Sequence, residues 1–214
     1  MKRTRIKICG LTRTVDVEAA VHAGADALGF VCYAGSPRYV DNARLRELAR
    51  AVPPFVVPTL LFVNATQAEV LFALEALPNA LLQFHGDESA AHCERFKRPY
   101  LRAVRVEQGV DLLDCERLFA TAIALLADTA AAGFGGSGKV FDWSLLPPVG
   151  RRTKALILAG GLHPDNVGHA IRQVHPFAVD VSSGVEETKG VKSAEKISSF
   201  VAAVRRADES LNLA

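Results

Sequence analysis

Short apolar runs alternate with amphipathic helical segments along the whole chain, and this alternation limits the available folds more than any other feature. We predict eight strands, at Ile6–Cys9, Ala27–Val31, Val57–Val63, Ala80–Phe84, Tyr100–Val104, Ala122–Ala127, Ala155–Leu158 and Phe177–Val181. Helices are predicted after most of them, at Val15–Ala23, Ala43–Val52, Gln67–Leu77, Ser89–Phe96, Val110–Phe119, Pro164–Val174 and Ala194–Ala207. After the sixth strand, Pro147 and Pro148 restrict the connection to a short turn. Eight strand–helix units predict an α/β protein, a (β/α)8 TIM barrel.

A doubly wound parallel sheet is the structural alternative to the barrel. It normally has fewer strands, and its first strand should lead into G-x-G-x-x-G, whereas here the first strand leads into "CGLTRT". A single barrel commonly uses about this length of chain, and no linker or low-complexity tract divides the sequence. We therefore expect a single domain over residues 1–214.

The charge and cysteine patterns exclude several classes of function. The 25 basic and 23 acidic residues are nearly balanced, and no basic stripe suited to nucleic acid is present. No apolar stretch approaches the roughly 20 residues of a membrane span. The cysteines form no C-x-x-C pair or metal-ligand spacing; they are Cys9, Cys32, Cys93 and Cys115. We expect a cytoplasmic protein without metal or disulfides that binds neither nucleic acid nor membrane.

Polar residues and glycines follow the predicted strands, where a barrel carries its catalytic groups. These positions are Cys9, Arg38, Asn64, His85, Arg105, Asp128, Gly160, Gly161, Asp180, Ser182, Ser183 and Gly184. Since the carboxyl ends of all strands meet at one face of a barrel, we expect these residues to form one pocket.

The loops after strands seven and eight predict a phosphate site. "LAGGLHPDN" contains Gly160 and Gly161, whose backbone can approach an anion closely before a helix begins. "DVSSGVE" adds hydroxyls and a further glycine, with Ser183 and Gly184. Glycines that serve only as turn residues would explain either loop alone. Two such loops at adjacent strand ends favour binding of a monophosphate.

Cys9 and Asp128 end apolar strands and are the candidate proton-transfer groups. A cysteine in a strand is often a buried hydrophobe, but a position at the barrel mouth favours a reactive thiolate. We expect aliphatic side chains at the other inward positions of the Cys9 strand. Asp128 could be a capping carboxylate or a protonated acid; raising a carboxyl pKa from ~3.9 to near 7 costs roughly 4 kcal/mol.

Several motifs in order resemble the phosphoribosylanthranilate isomerase family over residues 6 to about 200. They are "KICGLT", "GF" with "SPRYV", "FVN", "FHGDE", the aspartate before "GGSGKVFDW", "AGGLHPDNV" and "DVSSGVE". The departures are Phe84 for the usual Leu, Ser137 for Thr and Ser193 for Asp, and a serine can cap the last helix as an aspartate does.

The resemblance implies an Amadori rearrangement of a phosphorylated small-molecule substrate, without a cofactor. It implies that Asp128 is the general acid, that Cys9 is the general base, and that Arg38 contacts the anthranilate carboxylate. Asp180 would either orient polar groups near the substrate or anchor a turn. His85 is expected to be a structural or pocket-lining hydrogen bonder. The sequence leaves open whether the protein is a monomer or a homodimer.

The segment "GFGGSGKV", Gly133 to Val140, nearly matches a nucleotide-binding P-loop. Val140 stands where that loop needs a Mg²⁺-binding hydroxyl, and no full-length helix follows. We therefore predict a lid over the site, with Lys139 anchoring the closed lid or touching the ligand.

Three alternatives to this function remain open. An indole-glycerol-phosphate synthase-like barrel should place lysines at its strand ends, where this chain has Cys and Asp. A histidine-pathway aminoaldose isomerase should carry an Asp on strand one and two similar half-barrels. The third alternative is a barrel that binds a phosphorylated ligand without catalysis.

Overall fold

Eight parallel strands close into a barrel in the computed structural model, which describes residues 3–130 and 140–213. The strands are β1 Arg5–Cys9, β2 Ala27–Val31, β3 Val57–Phe62, β4 Leu81–Phe84, β5 Tyr100–Val106, β6 Ala124–Thr129, β7 Ala155–Leu158 and β8 Ala178–Val181. Each strand pairs with the next along the chain, and β8 returns to β1, where Ile8 lies opposite Val181. The predicted (β/α)8 barrel is confirmed.

Helices follow most strands and cover the outside of the barrel. They are α1 Thr14–Ala23, α2 Asn42–Ala49, α3 Gln67–Ala76, α4 Ala90–Glu94, α5 Leu112–Leu118, α6 Val167–Val174 and α7 Ala194–Asn212. Between β6 and β7 the described residues form two 3₁₀ turns, Trp143–Leu145 and Val149–Arg151, where the prolines predicted one short turn. A short hairpin that the sequence analysis did not predict, β9 Glu186–Thr188 with β10 Val191–Lys192, lies between β8 and α7. Among the described residues no helix combines the length and apolarity of a membrane span.

Successive side chains of each strand point alternately to the outside and the inside of the barrel, so the apolar residues form an outer and an inner core. Ile6 and Ile8 of β1 are fully buried in the outer core, between the barrel and its helices. A second cluster, contributed by β5 to β8 and the residue after β7, consists of Leu101, Ala103, Ala124, Leu126, Ile157, Ala159 and Ala178. Cys9, Val31, Leu61 and Val63 form a separate cluster near the carboxyl ends.

The expectation of aliphatic inward residues in β1 is wrong at Lys7. This side chain is 3% exposed, and its Nζ lies 2.8 Å from Asp180 Oδ1. Lys7 and Asp180 are neighbours in the β1–β8 register, so the strand that closes the barrel supplies the countercharge for a buried cation. A charged pair therefore occupies the interior of the barrel beneath the mouth.

Candidate active site

Two cavities open at the carboxyl end of the barrel. The first is lined by Cys9, Val31, Tyr33, Ser36, Arg38, Leu61, Val63, His85, Asp128, Asp180 and Ser182. The second is lined by Asp128, Ala159, Gly160, Gly161, Leu162, Asp180, Val181, Ser182 and Ser183. Asp128, Asp180 and Ser182 belong to both, so the cavities adjoin and the two aspartates stand at the junction.

Most of the residues expected at the mouth meet there, but not all of them do. Asn64 and Arg105 line neither cavity, and Gly184 lies just outside the second. Residues 131–139, which include Lys139 and most of the segment predicted as a lid, lie outside the described residues.

The Cys9 thiol is buried and enclosed by charged groups. It is 4% exposed and lies opposite Gly29 of β2 in the strand register. A Cβ atom on Gly29 would lie 2.7 Å from Cys9 Sγ, so only glycine leaves room for the sulfur. Burial raises the pKa of Cys9, an effect that Lys7 and, more weakly, Lys192 oppose. The thiolate therefore depends on the surrounding cations.

Asp128 is held at both carboxylate oxygens. Its Oδ1 accepts a 2.7 Å hydrogen bond from the backbone N–H of Thr129, and its Oδ2 lies 3.2 Å from His85 Nε2. A Cβ on Gly160 would come within 3.0 Å of Asp128 Oδ1, so the glycine leaves this carboxyl accessible from the second cavity.

His85 is oriented toward Asp128 by Gln83. The Gln83 amide nitrogen lies 3.2 Å from His85 Nδ1, and both side chains are buried. The Gln83 contact fixes the orientation of the imidazole ring, so Nε2 faces Asp128. The sequence predicted only that His85 is a structural or pocket-lining hydrogen bonder. The structure adds its contact with Asp128, the candidate general acid.

The loop that carries His85 is fixed by the glutamate of "FHGDE". Glu88 Oε2 accepts from the backbone N–H of Gly86 and from Arg102 Nη1, both at 2.8 Å. Its Oε1 accepts from the backbone N–H of Asn64 at 2.7 Å. This buried carboxylate connects the loops after β3 and β4 with Arg102 of β5 and so limits the movement of His85.

Arg38 is buried and forms an ion pair with Glu186. Its Nε and Nη2 donate to the two carboxylate oxygens of Glu186 at 2.7 and 2.8 Å. Lys192 Nζ donates to Glu186 Oε1 at 2.9 Å and to the carbonyl of Ser182 at 3.0 Å. Burial raises the pKa of Glu186, but Arg38 and Lys192 outweigh it and hold that pKa below its ordinary value.

This cluster of two cations and one carboxylate carries a net positive charge beside the first cavity. Sequence reasoning missed Glu186 and Lys192, although both stand in the charged stretch "VEETKGVK" that forms the hairpin. The hairpin strands have three and two residues, which is too short for a periodic signal.

The two glycine-containing loops contact each other at the second cavity. Gly160 and Gly161 have φ values of +79° and +63°, a region that suits glycine. A Cβ on Gly184 would lie 1.9 Å from the carbonyl oxygen of Leu162, so the β8 loop packs directly on the β7 loop. In the described part of the chain, no hydrogen-bond acceptor is found for the backbone N–H group of Gly161.

The fold and the site together define a class of protein, a (β/α)8-barrel enzyme with its reactive groups at the carboxyl end. Among the described residues no group of His, Cys, Asp and Glu is arranged to hold a metal ion. A sequence profile of the N-(5′-phosphoribosyl)anthranilate (PRA) isomerase family matches residues 6–203. The chain belongs to this family.

Individual relatives agree with the family assignment. The chain is 57% identical over 209 residues to the N-(5′-phosphoribosyl)anthranilate isomerase of Dechloromonas aromatica (strain RCB), covering 98% of this chain and 100% of the relative. The crystal structure of phosphoribosyl anthranilate isomerase from Thermotoga maritima is similar with a TM-score of 0.87 and 38% identity, over 95% of this chain and 99% of that one.

A further crystal structure links the fold to a ligand. It is a phosphoribosyl anthranilate isomerase in complex with reduced 1-(o-carboxyphenylamino)-1-deoxyribulose 5-phosphate. Its TM-score is 0.84 at 36% identity, covering 95% of this chain and 99% of that one. These likenesses support the isomerase over the indole-glycerol-phosphate synthase-like and histidine-pathway alternatives.

Proposed function

We propose that the protein isomerises N-(5′-phosphoribosyl)anthranilate to 1-(2-carboxyphenylamino)-1-deoxyribulose 5-phosphate in tryptophan biosynthesis, with Cys9 as general base and Asp128 as general acid. Family membership and the ligand of the related crystal structure support the reaction. The observation that carries the residue roles is that Cys9 and Asp128 line the same cavity from β1 and β6.

Ring opening is the first step, and Asp128 supplies its proton. The anthranilate nitrogen donates its lone pair to C1′ as the C1′–O bond breaks, which leaves an iminium ion and an alkoxide. The Asp128 carboxyl protonates that oxygen. The contacts with Thr129 and His85 fix the direction of the carboxyl, so little reorganisation is needed at the moment of transfer.

Proton removal from C2′ is the second step, and Cys9 performs it as the thiolate. The C2′–H electron pair forms a C1′–C2′ double bond, and the iminium nitrogen recovers its lone pair. The resulting enol then tautomerises, with a proton added at C1′ and one lost from the C2′ hydroxyl, to give the ketone. The sequence of steps is redox-neutral within the substrate, so it requires no external oxidant or cofactor.

The two cavities suit the two ends of this substrate. We assign the anthranilate carboxylate to Arg38, because the Glu186 contacts use its Nε and Nη2 and leave Nη1 for another acceptor. We assign the phosphate to the second cavity and its Gly160, Gly161, Ser183 and Gly184 loops. Their backbone N–H groups supply an anion with donors at no cost in side-chain entropy. The ribose carbons would then lie at the junction, near Asp128 and Asp180.

The proposal applies equally to a monomer and to a homodimer. We further propose that residues 1–214 act as one domain and that the enzyme works in the cytoplasm on its small-molecule substrate alone.

The decisive experiment follows the fluorescence decay of phosphoribosylanthranilate after purified protein is added. We expect catalytic decay that is abolished or strongly slowed in Cys9→Ser and in Asp128→Asn. A wild-type protein that binds the reduced product analogue without turning over substrate would favour the non-catalytic barrel instead.

A further inference from the structure

Lys7 is a buried charge that the mechanism above does not use. It lies two residues before Cys9 in β1, so both side chains project to the same side of the strand, into the barrel. A lysine this deeply buried requires a partner, and a pair placed only for stability could be replaced by apolar residues at little cost. Its position directly below the thiol suggests a different purpose.

The space between Lys7 and Cys9 is bordered by a glycine. A Cβ on Gly29 would lie 2.7 Å from Cys9 Sγ and 3.0 Å from Lys7 Nζ, so both atoms face the same small volume. The charge of the ammonium lowers the pKa of the thiol and so opposes the effect of burial. On its other side the ammonium donates to Asp180 Oδ1 at 2.8 Å. Lys7 thus bridges the anchoring carboxylate and the sulfur.

Lys7 keeps its charge in this environment. Burial by itself lowers the pKa of Lys7, but the Asp180 carboxylate and the Cys9 sulfur outweigh burial and place that pKa above its ordinary value. Several other charged or titratable groups face the first cavity or act on Cys9; they are Tyr33, Arg38, His85, Asp128, Asp180 and Lys192. Of the cations that act on the sulfur, Lys7 has the largest effect.

We propose that Lys7 is a positioning residue for Cys9, an ammonium anchored by Asp180 that stabilises the thiolate form of the base. The inference rests on the proposed role of Cys9. The Sγ–H proton leaves to solvent before the substrate binds, and Sγ then accepts the C2′ proton. Lys7 retains its three protons throughout and contributes only its electrostatic field.

The direct test measures the thiolate without any substrate. Alkylation of Cys9 by iodoacetamide, followed at the peptide level by mass spectrometry, is recorded against pH for the wild type and for Lys7→Met. Removing the cation raises the Cys9 pKa, so we expect the alkylation midpoint to move up by about one pH unit, or roughly tenfold slower alkylation at a fixed lower pH.

Turnover provides a second readout that a purely structural role would not produce. In Lys7→Met we expect kcat to fall about tenfold at neutral pH and to recover as pH rises, because hydroxide restores the thiolate. KM should change little. The matched control is Lys154→Met, a lysine just before β7 whose Nζ donates to the carbonyls of Ala120 and Ala122, away from the thiol.

In Lys7→Met, the buried Asp180 carboxylate loses its ion-pair partner, which destabilises the folded state. A second variant controls for this effect. Lys7→Met/Asp180→Asn removes both charges, and a midpoint above that of the wild type is again expected, since Lys7 affects Cys9 more than Asp180 does. An unchanged alkylation midpoint in the folded variants overturns the role of Lys7. Near wild-type turnover in Cys9→Ser would instead overturn the role of Cys9 while leaving the alkylation result intact.

Discussion

The two ends of the barrel contain cavities of opposite character. The amino-end cavity has a volume of about 430 Å³, against about 60 Å³ for the first cavity at the carboxyl end. Its walls are mainly apolar and include Leu81, Leu101, Ile123, Ile157 and Phe177; Lys7, whose ammonium pairs with Asp180, also lines this cavity, together with Arg5 and Asp26. The smaller cavity contains a thiol, two carboxylates, an imidazole and a guanidinium.

The comparison shows that the reactive side chains that line a cavity identify the candidate site in this fold, and that the volume of the cavity does not. Both ends are built from the same eight strands, but at the carboxyl ends side chains from different strands converge on shared hydrogen bonds and ion pairs. At the amino end apolar residues of the second cluster pack on one another. We therefore expect substitutions of similar size to have very different effects at the two ends.

The largest effect is expected for the proton-transfer pair. Cys9→Ser and Asp128→Asn should each lower kcat by ~10²–10⁴-fold. Each substitution leaves the site otherwise intact but replaces the acid or base with a group that transfers protons poorly or not at all. Steady-state turnover with circular dichroism as a folding check measures this. A kcat near that of the wild type in either variant removes that residue from the mechanism.

A smaller effect, mainly an increase in KM, is expected when the Arg38 guanidinium is removed. Arg38→Met removes a charge-assisted hydrogen bond to the substrate carboxylate, which costs about 1.5–3 kcal/mol, or roughly 10- to 150-fold in kcat/KM. Arg105→Met is the matched control, since Arg105 stands at another strand end but lines neither cavity. Equal losses in the two variants would contradict the assignment of Arg38.

The phosphate assignment is tested by charge at Ser183. Ser183→Asp should raise KM about tenfold or more by repulsion of the ligand dianion, whereas the neutral Ser183→Asn should change it much less. Gly184→Asp is a poorer test, because any side chain there meets the carbonyl of Leu162 and disturbs the loop itself. Identical kinetics for the Asp and Asn variants would place the phosphate elsewhere.

The smallest effect is expected at the amino end. Ile123→Thr alters a half-exposed wall residue of the large cavity, and kcat/KM should stay within about twofold of the wild type. A tenfold loss with an unchanged melting temperature would show that the amino-end cavity participates in the reaction.

The barrel and the positions of its polar residues could be predicted from the sequence, because strand–helix alternation is a local pattern. The same pattern places Cys9 and Asp128 at strand ends. It does not show that Lys7 meets Asp180, which lies 173 positions away and becomes a neighbour only when β8 closes on β1. The contact of His85 with Asp128 and the pairing of Arg38 with Glu186 are likewise products of tertiary structure.

The central claim, that substrate binds across the two carboxyl-end cavities, is tested most directly by a crystal structure of this protein with reduced 1-(o-carboxyphenylamino)-1-deoxyribulose 5-phosphate. We predict that the phosphate accepts hydrogen bonds from backbone N–H groups of the loops that contain Gly161 and Ser183. The aromatic carboxylate should contact Arg38, and C2′ should face Cys9. A ligand bound in the amino-end cavity, or bound in the reverse direction with its phosphate at Arg38, would contradict the account.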